Sequence, residues 1–164
     1  ARLELSGSLQ DAMDEATRRA YKLDTNPLRA SVVVDPFGER KNSGDNTPAM
    51  LTTEIVAGDK VDVQVSAKGG GSENKAKFTV LNPSGSVADW VVETIETLGA
   101  GWCPPGILGI GVGGSADKAM ALAKASLNDP LDMQELLRRG PRNRVEEVRL
   151  EIYERVNALG IGAQ

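Results

Sequence analysis

Two hydrophobic periods lie in neighbouring parts of this chain, and they do not alternate regularly. Val61, Val63 and Val65 are separated by polar residues, the period of a strand with one buried face. Val87, Trp90, Val91, Thr94, Ile95 and Leu98 recur at helical spacing instead. A doubly wound fold needs strand and helix to follow one another in turn, so this order favours an α+β fold.

The rest of the chain fills in that expectation. Leu9, Met13, Ala16 and Ala20 predict a helix from Ser8 to Lys22, with Pro27 as the stop. "SVVV", 31–34, reads as a strand. "DPFGERKNSGDNTPA", 35–49, has turn formers and no period, so it reads as a long ordered loop. Residues 51–67 read as a hairpin turning at Gly58 and Asp59. "KGGGSENK", 68–75, reads as a glycine loop and "AKFTVL", 76–81, as a strand. A helix follows, with Ser84 or Ser86 as its cap and Gly99 at its end. "ILGIGVGG" reads as a strand, Ser115 as the cap of a helix to about Leu127, and "NDPLD" as a turn. Val145, Val148, Ile152, Val156 and Leu159 predict a last helix from Asn143 to Leu159, supported by the Glu151–Arg155 pair. The expected fold is thus a mostly antiparallel sheet with hairpins, packed by about four helices, in a single domain over residues 1–164.

Composition limits the chemistry. Aromatic residues make up only 4%, so Val, Ile, Leu, Ala and Met must build the core. Lys and Arg number 19 and Asp and Glu 23, a net charge of −4, which argues against a nucleic acid partner. No apolar run has the length of a membrane span. Histidine is absent, which removes Ser-His and Cys-His nucleophile pairs and the usual zinc sites. One cysteine allows no internal disulfide and fits a reducing, cytoplasmic compartment. The chain starts without Met and stops after "LGIGA", which reads as a piece of a longer polypeptide.

Three stretches carry candidate chemistry. The three glycines of "KGGGSENK" can turn several N–H groups toward an anion, with Lys68 and Lys75 adding charge, or can form a flexible turn. Gly109, Gly111 and Gly114 in "GIGVGG" match the spacing of a dinucleotide loop, but equally that of a glycine strand packed against its neighbours. Ser115 and the following helix N-terminus offer a place for a carboxylate. Cys103, in "GAGWCPPG", is either a small buried hydrophobe or a thiolate ligand held by the two prolines after it. A nucleophilic role would need a base, and there is no histidine to serve as one.

Taken together, "AKGGGSENK", "LGAGWCPPGILGIGVGG" and the final "LGIGAQ" resemble the class I fumarate hydratases. These belong to the iron–sulfur hydro-lyase family that includes tartrate dehydratases. The resemblance runs from about Leu28 to Gln164. It implies a four-iron four-sulfur (4Fe-4S) cluster held by three cysteines, of which Cys103 matches the middle one. It implies that Arg29, in "NPLRAS", clamps a substrate carboxylate and that the Gly71 backbone contacts substrate, with Gly70 and Lys75 beside it. It places "DNTPA", with Asn46 and Pro48, next to the active site. The implied reaction is reversible hydration of fumarate to malate, a step of the tricarboxylic acid cycle, with tartrate or mesaconate as alternative substrates. Implied partners are a C-terminal domain or beta subunit and further copies of the enzyme. The stretches that carry the family's first and third cysteines and its proton chemistry are absent, so this chain is expected to be inactive alone. Two other classes stay open: a stand-alone anion- or nucleotide-binding module using the glycine loops, and a structural domain without a site.

Overall fold

The computed structural model describes residues 6–162. The chain divides into two compact units, Ala1–Val65 and Ser66–Gln164.

Among the described residues the first unit holds one helix, α1 (Leu9–Tyr21). Ser8 caps it by accepting a hydrogen bond from the Asp11 N–H, and Arg18 and Arg19 sit in its last turn, where cations complement the helix dipole. The loop beyond is ordered by side chains bonding to backbone. Asp35 accepts from the N–H groups of Gly38 and Glu39. Asn46 accepts from those of Ser31 and Val32, and Asp14, on α1, accepts from that of Ala49. These bonds replace the ladder that a regular element would supply.

The second unit is built on α3 (Val87–Leu98) and α6 (Arg144–Ala158). Ala88, Val91 and Ile95 of α3 and Ile152 of α6 are buried together, and Trp90, Trp102, Leu108, Val148 and Val156 pack around them. Burying a Val, Leu or Ile side chain contributes roughly 1.5–3 kcal/mol, so this seam is the main source of the unit's stability. Arg155 of α6 ties the pair from outside by an ion pair of 2.8 Å to Asp89 of α3. The unit also holds α2 (Gly70–Glu73), a 3₁₀ turn (Gly99–Trp102) that packs on α3, α4 (Ala116–Ser126) and α5 (Met133–Arg139). Leu136 of α5 is the most buried large side chain described. No helix among the described residues is long and apolar enough to cross a membrane.

The expected antiparallel sheet does not form. Among the described residues there are six α-helices and no strand, only an isolated antiparallel bridge between Val33 and Asn42. Residues 51–67, 76–81 and 107–112 lack regular secondary structure and have no ladder partners. Val61, Val63 and Val65 are 64%, 64% and 84% exposed. Alternation predicts an extended backbone with two faces, but it does not supply the second strand that must pair with it in register. Two helices also went unread. In α5, Asp132 accepts from the Glu135 N–H, a capping signal inside what reads as a turn. In α2, a glycine-rich turn becomes helical despite its poor intrinsic propensity.

Candidate functional site

The "KGGGSENK" segment folds as a single helical turn. The Glu73 N–H donates to Gly69 O at 3.0 Å, the Asn74 N–H to Gly70 O at 3.1 Å, and the Ser72 hydroxyl to Gly69 O at 3.0 Å. The glycines therefore shape a turn rather than a floppy loop.

Cys103 ends the 3₁₀ turn. Its N–H donates to Ala100 O at 3.1 Å, and its backbone is left-handed, with φ of +61°. A residue with a Cβ seldom adopts that conformation, which here leaves the thiol exposed rather than buried. A Cβ on Gly71 would stand 3.2 Å from Cys103 Sγ, so the glycine turn and the thiol are in direct apposition. A Cβ on Gly101 would meet Lys75 Cε at 3.0 Å and Nζ at 3.3 Å. One on Gly106 would enter the Trp102 ring at 2.7 Å, and one on Gly162 would meet Pro104 Cγ at 2.7 Å. The missing side chains are what allow the glycine turn, the cysteine loop and the end of "LGIG" to converge.

The glycine turn and the cysteine loop line a cleft of about 550 Å³ whose charged lining is Lys68, Lys75, Lys77, Lys124 and one carboxylate, Glu73. A chain with a net charge of −4 thus presents a locally basic cleft beside its cysteine. Lys124 donates to Glu73 Oε2, and Lys68 Nζ lies 3.6 Å from Oε1. The Lys124 hydrogen bond, chiefly, and the charge of both lysines hold the Glu73 carboxyl below the usual range.

The "GIGVGG" stretch has a different role. A Cβ on Gly109 would stand 2.2 Å from Ala123 O, and one on Gly111 would stand 2.1 Å from Ala119 O. Both glycines are used to bring α4 close, which is the packing reading of the motif. Gly113 and Gly114, with φ of +92° and +77°, make the turn into α4. The N-terminus of α4 is already served by Asp117. The Ser115 hydroxyl, first, and two backbone N–H groups hold that carboxyl below its ordinary value.

The expected site residues therefore divide. Gly70, Gly71, Lys75 and Cys103 adjoin one another in the second unit. Arg29 belongs to the first unit, is exposed, and makes no ion pair among the described residues. Asn46 of "DNTPA" spends its side chain on the loop backbone. Among the described residues no group of three or more Cys, Asp or Glu could hold a metal ion. Sequence reasoning missed the Glu73–Lys124 pair, because partners 51 positions apart leave no local signal.

Comparison with known proteins identifies the family. The family model described as fumarate hydratase (Fumerase) matches residues 2–164. The L(+)-tartrate dehydratase subunit alpha of Escherichia coli (strain K12) is 32% identical over 166 residues, covering 98% of this chain and 51% of the relative. A putative L(+)-tartrate dehydratase subunit alpha of Methanocaldococcus jannaschii is 36% identical over 146 residues, covering 84% of this chain and 48% of the relative. The chain thus spans about half the length of the curated relatives it matches. No solved structure matches it significantly. With the motifs in place and nearly its whole length matched, the chain belongs to the class I fumarate hydratase and tartrate dehydratase alpha family of iron–sulfur hydro-lyases.

Proposed function

We propose that this chain contributes one cluster cysteine and part of the substrate pocket to a hydro-lyase acting on a small dicarboxylate. The observation that carries this reading is the exposed Cys103 thiol apposed to Gly71 at a cleft lined by four lysines. L(+)-tartrate is the first substrate to test, because the named relatives are tartrate dehydratases. Fumarate and malate come second, on the description of the matching family model.

The residues present fit one corner of an iron–sulfur cluster. Cys103 offers a single accessible thiol on a stiff loop, and Gly71 leaves room beside it where a side chain would crowd it. The chain has no second cysteine and no histidine, so the other ligands would come from outside it. When bound, such a cluster supplies Lewis acidity to a substrate hydroxyl and carboxylate. In this reading Cys103 holds its corner, and Lys75 and Lys68 attract the dianion. The backbone of Gly70 and Gly71 contacts a substrate carboxylate, while for Arg29, in the first unit, a carboxylate contact is what the family resemblance implies. Proton transfer is left to groups outside this chain. The relatives are named as alpha subunits, so the partner is a beta subunit or a C-terminal domain that supplies those groups.

A stand-alone dinucleotide module is less well supported, since Gly109 and Gly111 are taken up in packing α4. The experiment is an oxygen-free assay of the chain together with the remainder of the enzyme. Dehydration of L(+)-tartrate or malate is expected. No turnover of either, with iron-independent binding of NAD or ATP, would contradict the proposal.

A further inference from the structure

The Glu73 carboxylate joins three parts of the second unit. Its Oε2 accepts from Lys124, near the C-terminal end of α4, and its Oε1 faces Lys68, which leads into the glycine turn. Glu73 is itself the last residue of that turn, α2. The group is half-buried, and so is Lys68, which favours the ion pairs over their solvent-screened counterparts.

The other end of the connection is also fixed. The backbone of α4 rests on Gly109 and Gly111, whose missing side chains let Ala119 O and Ala123 O approach. Those glycines follow Cys103 by only a few residues along a segment that includes two prolines. A closed circuit results: Cys103, the 107–112 segment, α4, Lys124, Glu73, Gly71 and back to Cys103. Within itself the glycine turn is held by the backbone bonds of a single helical turn and the Ser72 hydroxyl bond to Gly69 O, which are weak in isolation.

We propose that Glu73 is a positioning residue, tethering the glycine turn to α4 and thereby setting Gly71 against Cys103. Its catalytic consequence rests on the hydro-lyase reading above; the tether itself does not.

The test compares Glu73→Gln with wild type in the complete enzyme, by amide hydrogen exchange and by steady-state kinetics. Exchange at residues 73–75 is expected to quicken about two- to fivefold, the range for losing a partly exposed ion pair, with α6 unchanged. KM for the dicarboxylate is expected to rise by a similar factor, with a smaller change in kcat. The charge-reversed pair Glu73→Lys with Lys124→Glu should recover part of both readouts, the remainder being lost to like-charge repulsion from Lys68, whereas either reversal alone should recover none. Unchanged exchange at 73–75 in Glu73→Gln would overturn the tether. Faster exchange with unchanged KM would overturn the positioning role. A wild-type enzyme that turns over neither tartrate nor malate would defeat the hydro-lyase reading instead, and the exchange data would still decide the tether.

Discussion

Cys103 Sγ lies 3.2 Å from the position that a Cβ on Gly71 would occupy, closer than most side-chain carbons approach a neighbour. Gly71 is helical and without positive φ, so alanine suits its backbone. Gly71→Ala should therefore leave the fold intact and stabilise the turn by about 0.5–1 kcal/mol. The new methyl should push the thiol aside by a few tenths of an ångström. Iron content and turnover should fall while the melting temperature holds or rises. Both quantities falling together would mean that Gly71 serves the fold alone.

Gly109 and Gly111 give the opposite outcome. A Cβ on either would stand 2.2 or 2.1 Å from a carbonyl oxygen of α4, and backbone cannot yield as a flexible side chain does. Gly111→Ala should cost about 1–3 kcal/mol, read by chemical denaturation. Nucleotide should not protect the wild type, because these glycines face a helix.

Little of the pairing, but much of the helical structure, was legible in the sequence. The amphipathic periods predict the helices that begin after Ser8, Ser86 and Asn143, and each of these residues caps its helix by accepting from the N–H three residues on, Ser86 being one of the two caps expected for α3. The valines at 61, 63 and 65 predict a half-buried strand, and the structure gives neither partner nor cover for it. Burial on one face is a tertiary property that local alternation cannot guarantee. At the site, Cys103, the glycine stretch and Lys75 stand out singly from residue chemistry, but only the resemblance of motifs joins them, since no period or spacing relates a cysteine to a glycine 32 positions earlier. Lys124 was not reached at all, for the same reason.

Acid should weaken the second unit through Glu146. The Arg139 guanidinium, bonded to it at 2.6 and 2.8 Å, and then the Arg142 N–H hold the Glu146 carboxyl down from 4.5 to about 2. A carboxyl with a depressed folded-state pKa adds stability above its unfolded value and loses it as pH falls. The loss should run from about pH 4.5 down to about 2. Glu146→Gln should be less stable than wild type at neutral pH and show a shallower acid dependence in that window. Parallel unfolding curves for the two proteins would contradict this.

In the proposed function Arg29 contacts the substrate and has no part in holding the fold. It is exposed and free of ion pairs among the described residues, so Arg29→Ala should leave the melting temperature within about a degree or two. KM for the dicarboxylate should rise on the order of tenfold, as for loss of a charged hydrogen-bonding partner. Arg29→Lys should recover little, because an ammonium cannot make the two-pronged contact. Unchanged kinetics in both variants would remove Arg29 from the substrate site.

The proposed ligation of a catalytic cluster by Cys103 is tested most directly by one comparison. The complete enzyme, prepared without oxygen, is assayed for iron content and for dehydration of L(+)-tartrate and malate, wild type beside Cys103→Ser. The predicted result is that the serine variant loses both iron and turnover while its circular dichroism matches wild type. Full iron and full turnover in the serine variant would contradict the claim and leave "GAGWCPPG" a structural loop.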